Sequence, residues 1–308
     1  MNKSDLRSIE LMANYSIRDL ENFTGIKAHT LRIWEKRYNI VKPKRTCTNI
    51  RYYDDEDLKK LLNISILNRN GIKISNIVEM SDQAISEKVM SLASTKTDTD
   101  TQVESLVVAM IDLDERKFEK IFTTAVLRLG FEETVLRILY PFFERIGILW
   151  QIGTISPAQE HFISNLIRQK LIVAIDGLED LYGDQASSWL LFLPEGEHHE
   201  LGLLFYYYLL KKNGQKVIYL GETVPFEALK EIPKNRKVDH LLTSMTTPME
   251  ETEYSEYLQE LSNTFQKQDI FITGLQVTGA KVKLPDNIIS FTDVNDFRTN
   301  HLKPATIA

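Results

Sequence analysis

Apolar residues recur with a helical period through the first two thirds of the chain and in strand-length runs through the last third. Ile17, Leu20 and Phe23 keep helical spacing behind Ser16. Asp19, three residues after Ser16, completes the pattern of an N-cap with an acid in the first turn. Gly25 ends that segment, and the spacing predicts a second helix over about 27–38 with Leu31 and Trp34 on successive turns. Two short helices joined by a tight Gly turn predict a helix-turn-helix. Pro43 stops the second helix. The Thr, Ile and Tyr content of 44–53, with Asn49 at the turn, predicts a β-hairpin. A helix opening at Asp54 carries Leu58, Leu61, Leu62, Ile64 and Ile66, and Ile72, Ile74 and Ile77 begin another after Asn70-Gly71.

Residues 91–102 are polar and small without apolar periodicity and read as a linker. The helical pattern returns over 103–181 in groups around Val107-Met110-Ile111, Phe118-Ile121-Phe122, Ile138-Leu139-Phe142-Ile146 and Ile163-Leu166-Ile167. Breaks at Asp112–Asp114, Gly130 and Gly153 make this a four-helix bundle. From Ser188 onward, strand-like runs at 189–193, 217–221, 240–244, 270–274 and 288–291 alternate with helical stretches, which predicts a doubly wound parallel sheet. The predicted domains are 1–90, a linker over 91–102, a bundle over 103–183 and an α/β domain over 184–308.

Composition, 43% hydrophobic and 26% charged across 308 residues, is that of a globular protein, and no apolar run approaches the ~20 residues a membrane span needs. The start of the chain lacks the apolar stretch of a signal peptide, and the single cysteine, Cys47, can form neither an internal disulfide nor a thiolate metal site. The expectation is a cytoplasmic protein. The net charge of −6 is unevenly spread: residues 1–75 hold 15 Lys and Arg against 9 Asp and Glu, while the remainder holds 22 against 34. A basic head on an acidic body is expected where the head alone meets phosphate.

That asymmetry gives the helix-turn-helix a chemistry. Its second helix offers His29, Thr30, Arg32, Lys36 and Arg37 to base edges and phosphates in a major groove, and the hairpin adds Lys42, Lys44, Arg45, Arg51 and Tyr52. In the C-terminal domain, ligands are expected beyond the strands' carboxyl ends, where His199 follows the first strand and Thr273-Gly274 closes the fourth. An imidazole there can ligate cobalt, zinc or iron, and Glu197 is available to orient it. Two adjacent His in a polar loop can equally be only solvated. The loop offers no Ser or Cys nucleophile, which disfavours a hydrolase, and the Gly-rich phosphate fingerprint of nicotinamide enzymes is missing. Trp150 and Glu160-His161 flank a predicted break in the bundle and read either as a converging pair or as a core aromatic and a surface residue.

Ser16-Ile17-Arg18-Asp19-Leu20, Thr30-Leu31-Arg32-Ile33-Trp34-Glu35-Lys36-Arg37-Tyr38 and Arg51-Tyr52-Tyr53 closely resemble the DNA-binding domain of the MerR family, especially its light- and curli-regulator branch. The resemblance implies that Arg32, Trp34 and Arg37 contact phosphate or support the recognition helix, and that Lys44, Arg45 and Arg51 form wing contacts. Metal sensors of that family carry thiolates after a long helix, and no cysteine follows Cys47. Glu197-x-His199-x-x-Gly202 resembles the cobalamin-binding signature Asp/Glu-x-His-x-x-Gly. The 41 residues between Gly202 and Ser244, and the 26 between Thr246 and Thr273, resemble the spacing of that family's Ser-x-Leu and Gly-Gly elements. Trp150, nine residues and Glu160-His161 resemble the Trp-x9-Glu-His motif of the adenosylcobalamin-dependent photoreceptor repressors of carotenoid genes. Three departures stand out: Met245-Thr246 within Ser-x-Leu, Thr273 for the first Gly, and Gln151 where close members can place a His.

By resemblance, His199 replaces the cofactor's own base beneath cobalt, the nucleotide tail passes Ser244, Thr246, Thr273 and Gly274, and Trp150, Glu160 and His161 meet the adenosyl group. The implied function is a non-enzymatic, DNA-binding repressor, a dimer or tetramer on a double-stranded operator, that holds adenosylcobalamin and responds to light. Two alternatives are weighed against it. One is a regulator of the same fold that has lost cobalamin sensing and answers to a partner protein. The other is a corrinoid carrier module, for which a basic DNA-reading head has no use.

Overall fold

The structure is a computed structural model, described over residues 15–46, 49–95, 99–151, 155–179, 186–279 and 282–302. It divides into two compact units, 1–166 and 167–308.

The first unit opens with the predicted helix-turn-helix. Helix α1 (Ile17–Thr24) is capped by the Ser16 hydroxyl on the Asp19 amide, while the Asp19 carboxylate accepts from the Ser16 amide. Gly25, at φ 67, closes it in the left-handed region that a side chain disfavours. Helix α2 (Ala28–Tyr38) follows, and its first amide, that of Ala28, is met by Glu21 at 3.1 Å. Strands β1 (Lys44–Arg45) and β2 (Arg51–Tyr52) pair antiparallel around a turn with Asn49 at φ 66. Helix α3 (Asp55–Arg69) buries Leu58, Leu61, Leu62 and Ile66 beneath α1, and α4 (Ile74–Ile77) is a single turn.

Residues 91–102 correct the sequence reading. They are not a loop: helix α5 (Asp82–Thr95) and helix α6 (Thr99–Ile111) occupy all of the segment that is described. The start of α6 is buried, with Thr101, Gln102, Glu104 and Ser105 each at most 2% exposed. The Ser105 hydroxyl donates to the Thr101 carbonyl, and α6 packs on both α3 and α5. Small hydroxyl side chains that bond their own helix backbone allow close helix approach, and this tertiary burial overrides a polar sequence. The basic head is therefore packed on the bundle rather than tethered to it.

The bundle is α6, α7 (Glu115–Leu129), a third helix with a π-helical turn in it and α10 (Pro157–Asp176). The third helix is built from α8 (Phe131–Thr134), a π-helical turn Val135–Leu139 and α9 (Tyr140–Gln151). The break at Asp112–Asp114 is a turn with Leu113 at φ 52, and Gly130 ends α7. The expected break at Gly153 lies outside the described residues. The division into units comes at 166–167, within α10.

The second unit carries a wholly parallel five-stranded sheet of β3 (Ser188–Pro194), β4 (Lys216–Val224), β5 (His240–Ser244), β6 (Asp269–Thr273) and β7 (Ile288–Ser290). Its spatial order is β4-β3-β5-β6-β7. Helices α11 (Glu200–Lys212), α12 (Phe226–Asn235) and α13 (Glu251–Thr264) make the crossovers. Leu190, Phe192, Leu241, Ile270 and Ile272 form a core with Tyr254, Leu258 and Leu261 of α13. The strand residues that alternate with them meet an aromatic group in which Trp189 lies 5.0 Å from Phe271 and Tyr206 lies 5.2 Å from Phe297. Both faces are covered, which is why these strands read as near-continuous apolar runs. Among the described residues no helix is long and apolar enough to cross a membrane.

Candidate functional site

The recognition surface is α2 with the hairpin. Leu31 and Trp34 face inward, leaving His29, Arg32, Ile33, Lys36 and Arg37 exposed and Thr30 half-buried. Trp34, at 9% exposure, packs beneath the helix. The Tyr53 hydroxyl donates a short hydrogen bond to Glu35, tying α2 to the hairpin, while Tyr15 and Tyr53 exchange backbone bonds of 2.8 and 2.9 Å. Burial and the Glu35 carboxylate push the Tyr53 phenol up, so it stays a donor at neutral pH. On the wing, Lys44 is paired with Asp54 at 2.7 Å and Arg45 with the Asn49 side chain at 2.6 Å. Arg51 is exposed on β2 beside the half-buried Tyr52, and Lys42 is exposed ahead of β1. Ile33, 55% exposed among the cations of α2, was missed by the sequence reading, which sought charge and not apolar contacts.

The second surface is the sheet rim. Strands β3 and β5 are neighbours, but the chain leaves them toward opposite edges, so their carboxyl ends open the crevice of a topological switch point. Glu197, after β3, has a side chain only 5% exposed. One carboxylate oxygen accepts from the Thr246 and Thr247 amides beyond β5 at 2.7 and 2.8 Å. The other accepts from the Thr247 hydroxyl at 3.2 Å, from the His198 and His199 amides at 3.0 and 3.1 Å, and faces His199 Nδ1 at 2.5 Å. Burial alone would raise this carboxyl, but the bonds from His199 and from the Thr247 and Thr246 amides outweigh it and hold it at about 2. Glu197 is therefore an anion at neutral pH, placed to hold a His199 proton on Nδ1 and so leave Nε2, at the opposite edge of the ring, as the acceptor nitrogen. The His199 side chain is 61% exposed.

Around this pair, Gly202 on α11 has open space where a Cβ would stand, and Gly274 cannot be replaced: at φ 111 its Cβ would lie 2.2 Å from the Met245 carbonyl oxygen. Ser244 and Thr273 are register partners at the strand ends, and both are buried. Among the described residues no three His, Cys, Asp or Glu side chains are placed to hold a bare metal ion. A single oriented imidazole instead fits a metal whose other ligands arrive with it in a macrocycle, and the open flank at Gly202 fits a tail passing beside the helix. Glu200 adds a support that sequence reasoning missed: its buried carboxylate accepts from Arg168 at 2.6 Å and from the Tyr219 hydroxyl at 2.8 Å, anchoring the start of α11. Thr247 was missed as well, because the signature spacing points to Ser244 and Thr246.

In the first turns of α10 the Glu160 carboxylate lies 2.9 Å from His161 Nδ1, with His161 75% exposed and the Ser164 hydroxyl donating to Glu160 at 2.7 Å. Trp150 lies on α9, and its side chain and that of Gln151 fall outside the described residues.

A winged helix-turn-helix packed on a helical bundle, in a chain that also carries a switch-point α/β unit with an oriented histidine, defines a ligand-responsive DNA-binding regulator. Residues 15–84 match the MerR HTH family regulatory protein model and residues 102–175 the B12 binding domain model, so the chain joins a MerR-type helix-turn-helix to a B12 binding domain. It is 28% identical to the HTH-type transcriptional repressor CarH of Myxococcus xanthus over 70% of this chain and 73% of that one. It is 25% identical to the HTH-type transcriptional repressor CarA of the same organism over 84% of this chain and 86% of that one. The HTH-type transcriptional regulator MlrA of Escherichia coli is 33% identical over 21% of this chain and 27% of its own length, which confines that likeness to the head. DNA binding and cobalamin binding follow from the two matched domains, and the comparisons place the chain among regulators rather than enzymes.

Proposed function

We propose that this chain is a transcriptional repressor whose hold on its operator is set by adenosylcobalamin ligated through His199, with light ending the bound state. The observation that carries the proposal is the Glu197–His199 pair at the sheet's switch point, in a chain whose head matches the MerR regulators. His199 Nε2 would be the ligand beneath cobalt, with Glu197, Thr246 and Thr247 holding the ring. Gly202, Ser244, Thr273 and Gly274 would line the path of the nucleotide tail, and Trp150, Glu160 and His161 would meet the adenosyl group. The bound cofactor supplies a cobalt–carbon bond that visible light can cleave.

On the DNA side, His29, Thr30 and Arg32 would face base edges, with Arg37, Lys42, Lys44, Arg45, Arg51 and Tyr52 on the phosphates. One head making a few phosphate contacts binds weakly at physiological salt. A dimer or tetramer presenting paired heads binds far more tightly through effective concentration, so assembly is part of the proposal.

The test is purification in darkness with adenosylcobalamin. Bound-corrin absorbance is expected to survive desalting, to change on illumination, and to be lost in His199→Ala; DNA affinity is expected to follow it. Loss of absorbance on desalting, with DNA affinity indifferent to cofactor and light, overturns the proposal and favours a regulator that answers to a partner protein.

A further inference from the structure

The boundary between the two matched domains is crossed by an ionic junction on a buried carboxylate. Glu104, on α6 and within the B12 binding domain match, has a side chain only 2% exposed. One of its oxygens takes a short bond from Arg69, at the end of α3 in the MerR match, and the other lies 3.9 Å from Arg145 on α9. Arg145 then reaches out of its own domain: its guanidinium donates at 3.0 Å to the carbonyl of Asn22, 123 residues away on α1.

The position of Asn22 gives that bond its meaning. The last four carbonyls of a helix have no partner within it and must be met from elsewhere. In α1 the Glu21 carbonyl is met by the Gly25 amide at 2.9 Å, and the Thr24 carbonyl by the Ser65 hydroxyl at 2.6 Å. The Asn22 carbonyl is met by Arg145. A cation at a helix carboxyl end also complements the helix dipole. The first helix of the helix-turn-helix is thus capped by a side chain supplied from the cofactor-binding bundle. The same guanidinium faces a buried carboxylate that needs its cations, because an uncompensated buried charge is costly.

The helix that carries Arg145 does not continue a regular α-helix from its start. It follows the π-helical turn Val135–Leu139, where the backbone register departs from α, a feature found at functional positions in helices. Arg145 lies six residues beyond that turn and six before the end of α9 at Gln151.

We propose that Arg145 is a positioning residue that couples the B12 binding domain to DNA: with α9 in one arrangement it caps α1 and compensates Glu104, and a shift of α9 withdraws both interactions and releases the head. This deepens the cobalamin-controlled reading and rests on it. Either ligand can bias the same two-state element, and the coupling is reciprocal.

The experiment uses the full chain as Arg145→Met, Glu104→Gln and the double variant, with three readouts. These are corrin uptake by absorbance, operator affinity with and without adenosylcobalamin in darkness, and amide exchange in the last turn of α1. In the wild type the cofactor is expected to change DNA affinity by about five-fold or more, the range of ordinary allosteric coupling. Arg145→Met is expected to bring that ratio to within about two-fold of one, with corrin uptake retained and exchange in α1 faster. Glu104→Gln, which keeps the side-chain shape, is expected to act in the same direction, and the double variant to add little to either single one. An unchanged ratio and unchanged α1 exchange in both single variants overturn the proposal. A wild type whose DNA affinity ignores cobalamin refutes the cobalamin reading instead, and α1 exchange in Arg145→Met still decides whether Arg145 positions the head.

Discussion

Replacing Glu197 by Gln removes the charge that orients His199 and keeps the shape. The carboxyl sits at about 2 in the folded protein against an ordinary 4.5. A difference of about 2.5 pH units corresponds to about 3 kcal/mol of folding stability carried by the anion. The sign follows from the depressed value. The contribution is complete above about pH 4.5, where the unfolded carboxyl is also ionised, and is lost as pH falls toward 2. Less than half of it, roughly 1.4 kcal/mol, remains at pH 3. Urea unfolding of the protein without added cobalamin is therefore expected to show Glu197→Gln less stable by about 3 kcal/mol at pH 7, with the gap narrowing by more than half at pH 3. The same variant is expected to bind cobalamin about 10–100-fold more weakly, because a ligating histidine depends on the partner that fixes its ring. A gap that is equal at the two pH values, or cobalamin affinity within about two-fold of wild type, would show that Glu197 is not the anionic support of His199.

Three further outcomes follow from the head. Arg37→Ala and Arg51→Ala are each expected to lower the slope of log affinity against log salt by about one, measured by fluorescence anisotropy on an operator selected in vitro. Ile33 is exposed in the middle of the recognition helix, so thymine-to-uracil replacement in that operator, which removes only a methyl group, is expected to weaken wild-type binding at one position and to leave Ile33→Ala indifferent there. Ser16→Ala removes the α1 capping bond and is expected to cost about 1 kcal/mol in urea unfolding.

Much of this molecule was legible in its sequence, and the exceptions share a cause. The head was legible because its signals are local: a Ser16 cap, the Gly25 stop, the Asn49 turn and the Leu31–Trp34 spacing are each set by neighbours in the chain. The parallel sheet was legible because strands covered on both faces are apolar throughout. Glu197 and His199 are two residues apart, so a motif could bring them together. The start of α6 within residues 91–102 was misread because the burial of Thr101 and Gln102 comes from packing of α6 on α3 and α5, which a polar sequence does not advertise. Thr247 lies 50 residues from Glu197, Arg145 lies 123 from Asn22, and Arg168 lies 32 from Glu200. Such pairs form only when the fold closes, and no spacing rule predicts them. The head packed on the bundle matters most for function, since a tethered head could not be positioned by a cofactor domain and a packed one can.

The most direct test of the central claim is operator affinity of the purified chain in darkness, with and without adenosylcobalamin, for wild type and His199→Ala. The account predicts tighter operator binding by the cofactor-loaded wild type, loss of that gain on illumination, and no cofactor effect in His199→Ala. Equal affinity of loaded and unloaded wild type, or a cofactor response that survives His199→Ala, would contradict it.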